Sequence, residues 1–114
     1  MMERIAQFEM RNPVIDRKYL KLYGFYCRSI WGKSGDLNID SIIPHGQIPA
    51  IVSQMQEFGI GSFTISAQSD GLLDMVMEFC KCGCMVMGMK ETTVMDSLTD
   101  SILTRPALVL AIQY

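Results

Sequence analysis

The feature that most constrains the fold is a strand–helix–strand pattern between residues 62 and 89. In the first segment, β-forming residues place Phe63 and Ile65 on one face of a strand. Apolar residues then recur at helical spacing until Gly83, a typical residue after a helix end. Residues 84–89 are apolar with little alternation, which favours a strand covered on both faces. The pattern predicts a βαβ unit with a right-handed crossover and two parallel strands.

The flanking segments add further elements to this unit. Residues 17–31 have a helical pattern. Gly24 weakens this helix by about 1 kcal/mol relative to Ala, so two short pieces are the alternative to one helix. A second apolar stripe with helical spacing ends at Gly59. Residues 37–43 fit either a short strand or an extended lead-in, and residues 107–112 fit a buried strand.

For residues 91–104 the sequence leaves two alternatives, a partly helical excursion or a loop. We therefore predict an α/β (α+β) fold, a small single-layer sheet of three or more strands that contains one βαβ unit and carries helices packed on it. The length of 114 residues favours a single domain, residues 1–114. Within it, residues 1–45 form a helical, basic and aromatic N-terminal extension, and residues 46–114 form an α-β-α-β-β core.

Methionine is unusually frequent, with ten residues in the chain. Seven of them lie between residues 55 and 95, where the predicted elements place most of the core. Met is a flexible core filler and is also over-used at adaptable binding surfaces. We favour core filling for these seven and expect the following apolar residues to be buried with them: Phe63, Ile65, Val76, Phe79, Val86 and Val109.

Charge and hydropathy limit the classes of partner. The net charge is −2, but residues 1–35 carry +4 and residues 36–114 carry −6. The longest apolar run, residues 107–112, is far shorter than the ~20 residues that cross a bilayer. The first residues have no apolar segment of the signal-peptide kind, so we expect a small acidic cytoplasmic protein without a membrane partner.

The four cysteines do not match a metal site or a disulfide framework. Cys80, Cys82 and Cys84 alternate with single residues, whereas structural zinc sites use C-x2-C pairs. Cys27 is distant in sequence, and the single histidine, His45, belongs to no spaced motif. We expect reduced, metal-free cysteines and no cofactor.

The N-terminal third interleaves basic and aromatic side chains. In the simplest interpretation, half of the aromatic rings belong to the core and the basic side chains lie on the solvent-exposed side of the same segment. If the segment is a functional surface, a protein interface ranks above single-stranded nucleic acid, because the net charge is slightly negative. The candidate partner-binding residues are Arg17, Tyr19, Lys21, Tyr23, Tyr26, Arg28 and Trp31.

A second candidate surface is acidic. Asp70, Asp74 and Glu78 follow one another four residues apart and share one helix face. Such a stripe is usually a solvated face, and no nucleophile, base and orienting group can be assembled around it, so we predict no catalytic residues and no enzyme. The turn from Ser66 to Gly71 opens a helix and leaves anion binding open, although capping by Ser66 or Ser69 explains its residue types.

The middle of the chain also carries a recognisable pattern. Residues 63–73 read F-T-x-S-x-x-S-x-G-L-L, and residues 83–91 read G-x-x-V-x-G-M-x-E. The pattern, within about residues 48–113, resembles a family of short uncharacterised proteins from bacterial mobile elements and phage-like regions. The resemblance implies a small accessory protein of a mobile element and supplies no catalytic residue.

Two functions follow as hypotheses. The first is a non-catalytic protein-binding accessory protein, with inhibition of a host defence nuclease, in the manner of an anti-CRISPR protein, as one concrete version. The second is a nucleic-acid-binding accessory protein that uses the basic aromatic helix. A protein partner is expected in the first case, and self-association stays open.

Overall fold

The computed structural model describes residues 19–96 and 98–113. They form an α+β fold of three α-helices and one four-stranded sheet, which confirms the predicted fold class. A 3-10 turn at His45–Gln47 leads into the second helix. In chain order, the elements are α1 (Leu20–Trp31), β1 (Asn38–Ile39), α2 (Ile48–Glu57), β2 (Ser62–Ile65), α3 (Leu72–Lys81), β3 (Cys84–Met95) and β4 (Ile102–Ile112).

The strand order is β1-β2-β4-β3. β1 is parallel to β2, and β4 is antiparallel to both β2 and β3. β2 and β3 therefore run in the same direction, as predicted, but β4 is inserted between them and the unit is a split βαβ. The two parallel strands are not neighbours, because β3 pairs with the strand that follows it in a long hairpin.

The open segment 91–104 belongs mostly to this hairpin. β3 continues to Met95 and β4 begins at Ile102, so neither the helical excursion nor a long loop is present. Asp96 closes the tip, since its amide donates to the Ser101 carbonyl at 2.8 Å and its carboxylate accepts from the Leu98 amide at 3.0 Å. In this segment, the strand preference of the β-forming residues outweighed the weak helical spacing.

Most predicted helix ends are confirmed, with one exception at α3. Gly59 and Gly83, which follow α2 and α3, have φ angles of 72° and 96°. α1 is one continuous helix through Gly24, so the alternative of two short pieces does not occur. The residue before α3, Gly71, is its N-cap and provides no side-chain hydrogen bond. The hydroxyl of Ser66, one of the two predicted caps, accepts a hydrogen bond from Asn38 instead.

The core lies between the helices and the helix-facing side of the sheet. Phe63, Ile65 and Phe79 are buried as predicted, and the rings of Phe63 and Phe79 lie 5.1 Å apart. Val76 and Val109 are only half-buried and Val86 is exposed, so these three expectations were wrong. The strand order explains Val86, because β3 is an edge strand while β4 occupies the centre of the sheet.

Candidate interaction surfaces

The structure divides the predicted N-terminal surface between the core and the solvent. Arg17 lies outside the described residues. Tyr19 and Tyr26 are buried, and Tyr23 is half-buried. The exposed members are Lys21, Arg28 and Trp31.

Tyr19 illustrates why the tyrosines are withdrawn from the surface. Its ring meets that of Phe58 edge-on, with centroids 5.6 Å apart. Its hydroxyl donates to the carboxylate of Glu57, with oxygen–oxygen distances of 2.8 and 3.0 Å. The side chain ties the start of α1 to the end of α2, and its ring face is unavailable for stacking with a partner.

Arg28 and Trp31 come together at a cleft between the end of α1 and the tip of the β3–β4 hairpin. The Arg28 guanidinium forms an ion pair with Asp40 at 2.8 Å and lies 4.9 Å above the Phe25 ring. Trp31, with 58% of its surface exposed, lines a mainly apolar cavity of about 230 Å³. A neighbouring, more polar cavity of about 380 Å³ is lined by Arg105 among others.

A larger apolar surface lies elsewhere, and the sequence interpretation missed it. Of the seven methionines expected in the core, Met55 and Met75 are buried, whereas five are exposed. Four of these five join two other exposed apolar residues around α3 and the first half of β3, each with 40–75% of its surface accessible. We call this group the methionine surface: Leu73, Met77, Met85, Val86, Met87 and Met89.

Local structure explains how the methionine surface forms. Leu73 and Met77 are four residues apart on α3, while Met75 and Phe79 point into the core. α3 also packs against β3, the strand that follows it. The sequence did contain a signal, because the apolar residues of α3 occupy a wider arc than one buried stripe requires.

β3 is irregular at the centre of this surface. Pairing with β4 shifts register between Val86 and Gly88, so Met87 is the extra residue of a β-bulge. Gly88 has a φ of 155°, which side-chain-bearing residues rarely adopt. No backbone hydrogen bond in the described part of the chain extends from the outer edge of this half of β3.

The acidic face borders the methionine surface. Asp70 and Asp74 are exposed, and Glu78 is half-buried with Lys81 at 4.0 Å. Asp74 directly follows Leu73 in the first turn of α3 and lies three residues before Met77. The two surfaces are thus two neighbouring sides of the same helix.

The cysteines are free thiols in different surroundings. Cys80 is exposed and lies three residues after Met77, whereas Cys84 is buried at the start of β3. Burial raises the pKa of Cys84 to about 11, and the neighbouring Cys82 and Cys80 add to the shift. Burial, followed by the negative charge of Glu78, also raises the pKa of Cys82. These two groups are therefore neutral thiols at physiological pH.

Comparisons with known proteins give one family match. A family model described as a domain of unknown function (DUF7698) matches residues 21–113. No curated protein and no solved structure matches the chain. Over residues 19–96 and 98–113, the helices are too short or too polar to span a membrane, and no cluster of three or more metal-ligating side chains occurs.

Proposed function

The chain belongs to the DUF7698 family, a domain of unknown function, and we propose that it is a non-catalytic protein-binding module whose contact surface is the methionine surface. One observation carries the proposal: α3 and the first half of β3, which pack against each other, expose six large apolar side chains. The largest apolar patch on a typical monomer measures ~300–600 Å² and is often functional. The pairing with β4 places Val86 and Met89 on one face of the sheet and Met85 on the other, so the surface extends around the β3 edge.

The chemistry of the patch supports protein binding over a small-molecule site. Methionine is flexible and polarizable, so a methionine-rich surface adapts to the shape of an apolar partner. The patch wraps around a sheet edge, whereas small-molecule sites are concave. The polar groups beside the Trp31 cleft serve structural pairs, since Arg28 binds Asp40 and Asn38 donates to Ser66 at 2.8 Å.

The nucleic-acid alternative has less support. Binding of a single strand needs exposed aromatic rings beside cations. Phe25, Tyr19 and Tyr26 are buried, and Arg28 is already paired with a carboxylate. The exposed basic and aromatic groups that remain on α1, namely Lys21 and Trp31, lie ten residues apart, about 15 Å along the helix axis, and so do not form one platform.

A narrower version of the proposal concerns the partner. The resemblance to mobile-element proteins and the charge of −6 over residues 36–114 suggest an accessory protein that occupies a basic channel of a host defence nuclease. Nuclease activity measured with and without the purified protein tests this version. Unchanged activity at saturating protein concentration removes the nuclease version and leaves protein binding in place.

Partner capture with matched variants tests the general proposal. The wild-type protein is used as bait in an extract of the source cells, beside the double variant Met77→Ser/Met89→Ser. Leu98→Ser is the control, because Leu98 is 93% exposed at the hairpin tip and lies outside the methionine surface. We expect a stoichiometric partner on wild type and control that the double variant loses while its Tm stays unchanged. Equal capture by all three proteins contradicts the proposal.

A further inference from the structure

Resting on the proposed function, we propose that the methionine surface receives a basic amphipathic helix of a partner protein. The apolar face of that helix would lie on α3 and on the face of β3 that carries Val86 and Met89, and its lysine or arginine residues would face the carboxylates at the border. An amphipathic helix bound in this way contacts the surface through apolar anchors at positions i, i+3/i+4 and i+7.

The border of the methionine surface carries uncompensated negative charge. Asp74 directly follows Leu73 on α3, Asp70 lies two residues before the helix begins, and Glu91 follows Met89 by two residues along the same side of β3. Within the described residues, none of these three carboxylates has an ion pair. The nearby lysines are engaged, because Lys81 contacts Glu78 and Lys90 contacts Asp36. A partner that covers the apolar residues thus meets an acidic border, which favours cations on its flanks.

The irregular edge of β3 disfavours a strand as the partner. A strand that adds to a sheet requires a regular row of outward amides and carbonyls. The bulge at Met87 and the conformation of Gly88 interrupt that row in the middle of the apolar half. Bulges and charged residues such as Lys90 are devices that protect edges from pairing. A helix needs only the side chains and is unaffected by the interruption.

A second copy of the chain fits the charges poorly. A second copy placed over the methionine surface would bring the same three carboxylates without ion pairs, and nearby lysines that already contact carboxylates of their own chain. Like charges brought together across an interface are unfavourable. A cationic partner converts the same carboxylates into attractive contacts.

Three synthetic peptides of about 18 residues, roughly five helical turns, test the proposal. The first is a leucine–lysine amphipathic helix, the second is its leucine–glutamate counterpart with the same apolar face, and the third is a scrambled leucine–lysine sequence. Binding of labelled peptide is followed by fluorescence anisotropy at low and at physiological salt. The protein variants are Met77→Ser/Met89→Ser, Asp70→Asn/Asp74→Asn and the control Asp100→Asn, an exposed carboxylate at the hairpin tip.

We expect the basic helix to bind at least about tenfold more tightly than the acidic and scrambled peptides. The methionine double variant should lose this binding, and Asp70→Asn/Asp74→Asn should weaken it about threefold to tenfold at low salt, as expected for two exposed charge pairs. Asp100→Asn should bind as wild type does.

Other outcomes overturn the proposal in distinguishable ways. Equal affinity for the basic and acidic helices removes the charge requirement, and equal affinity for the scrambled peptide removes the helix. Self-association in light scattering that Met87→Lys abolishes assigns the surface to a second copy. If no peptide binds while bait capture still depends on Met77 and Met89, the partner class is wrong and the proposed function stands. If capture is also independent of these methionines, both fail.

Discussion

The burial of α1 and the exposure of β3 are the opposite of what their compositions suggested. α1 carries the bases and aromatic rings that suggested an exposed patch, yet Phe25 has only 2% of its surface accessible. β3 begins with an apolar run that suggested burial on both faces, yet Met89 is 69% exposed. α1 covers the outer edge of β1, where the Ser29 hydroxyl accepts from the Asn38 amide at 2.9 Å. β3 forms the opposite edge of the sheet. Both β1 and β3 are edge strands, so cover by a neighbouring helix, more than hydrophobicity, decided which edge is buried.

The largest test of this comparison replaces one apolar residue in each element. Phe25→Ala should lower the free energy of unfolding by about 3–5 kcal/mol, because the ring is fully enclosed and leaves a cavity. Met89→Ala should change it by less than ~0.5 kcal/mol, as for other surface substitutions. Chemical denaturation of both variants measures the difference. A similar loss for Met89→Ala would mean that β3 contributes to the core.

The sequence predicted those parts of the fold that local patterns determine. Helical spacing and the glycines at 59 and 83 located α2 and α3, and alternation in β2 located Phe63 and Ile65. The insertion of β4 between β2 and β3 is a long-range choice that no local pattern encodes. That insertion leaves β3 at the edge of the sheet. Most residues of the methionine surface are therefore exposed, although the sequence pattern placed them in the core. Of the three residues of the acidic face, Asp74 and Glu78 lie one turn apart on α3, whereas Asp70 precedes the helix.

An intermediate effect is expected at the junction of the two elements. Gly32 ends α1 against β3, and a Cβ at this position would lie 2.9 Å from the Val94 Cα, closer than real contacts allow. Gly32→Ala should therefore cost about 1–3 kcal/mol, since backbone must shift to admit the methyl group. Gly35→Ala is the matched control, because a Cβ there meets nothing within 4 Å. Thermal unfolding of the two variants compares them, and equal Tm values would show that the end of α1 does not rest on β3.

The smallest effect concerns the charges that remain exposed on α1. Arg28→Ala should cost about 0.2–1 kcal/mol, because its ion pair with Asp40 is largely solvent-exposed and screened. Lys21→Ala should cost less, since Lys21 forms no salt bridge among the residues that the structure describes. A double-mutant cycle of Arg28→Ala with Asp40→Asn isolates the pair, and its coupling energy should shrink in 1 M salt, where the Debye length is ~3 Å.

The result bears on which element binds a partner. A measurable coupling means that Arg28 is held by its own chain, so that β3 and α3 offer the freer surface. A coupling of zero at every salt concentration would leave the Arg28 guanidinium available beside Trp31, and the basic end of α1 would again compete with the methionine surface as the contact site.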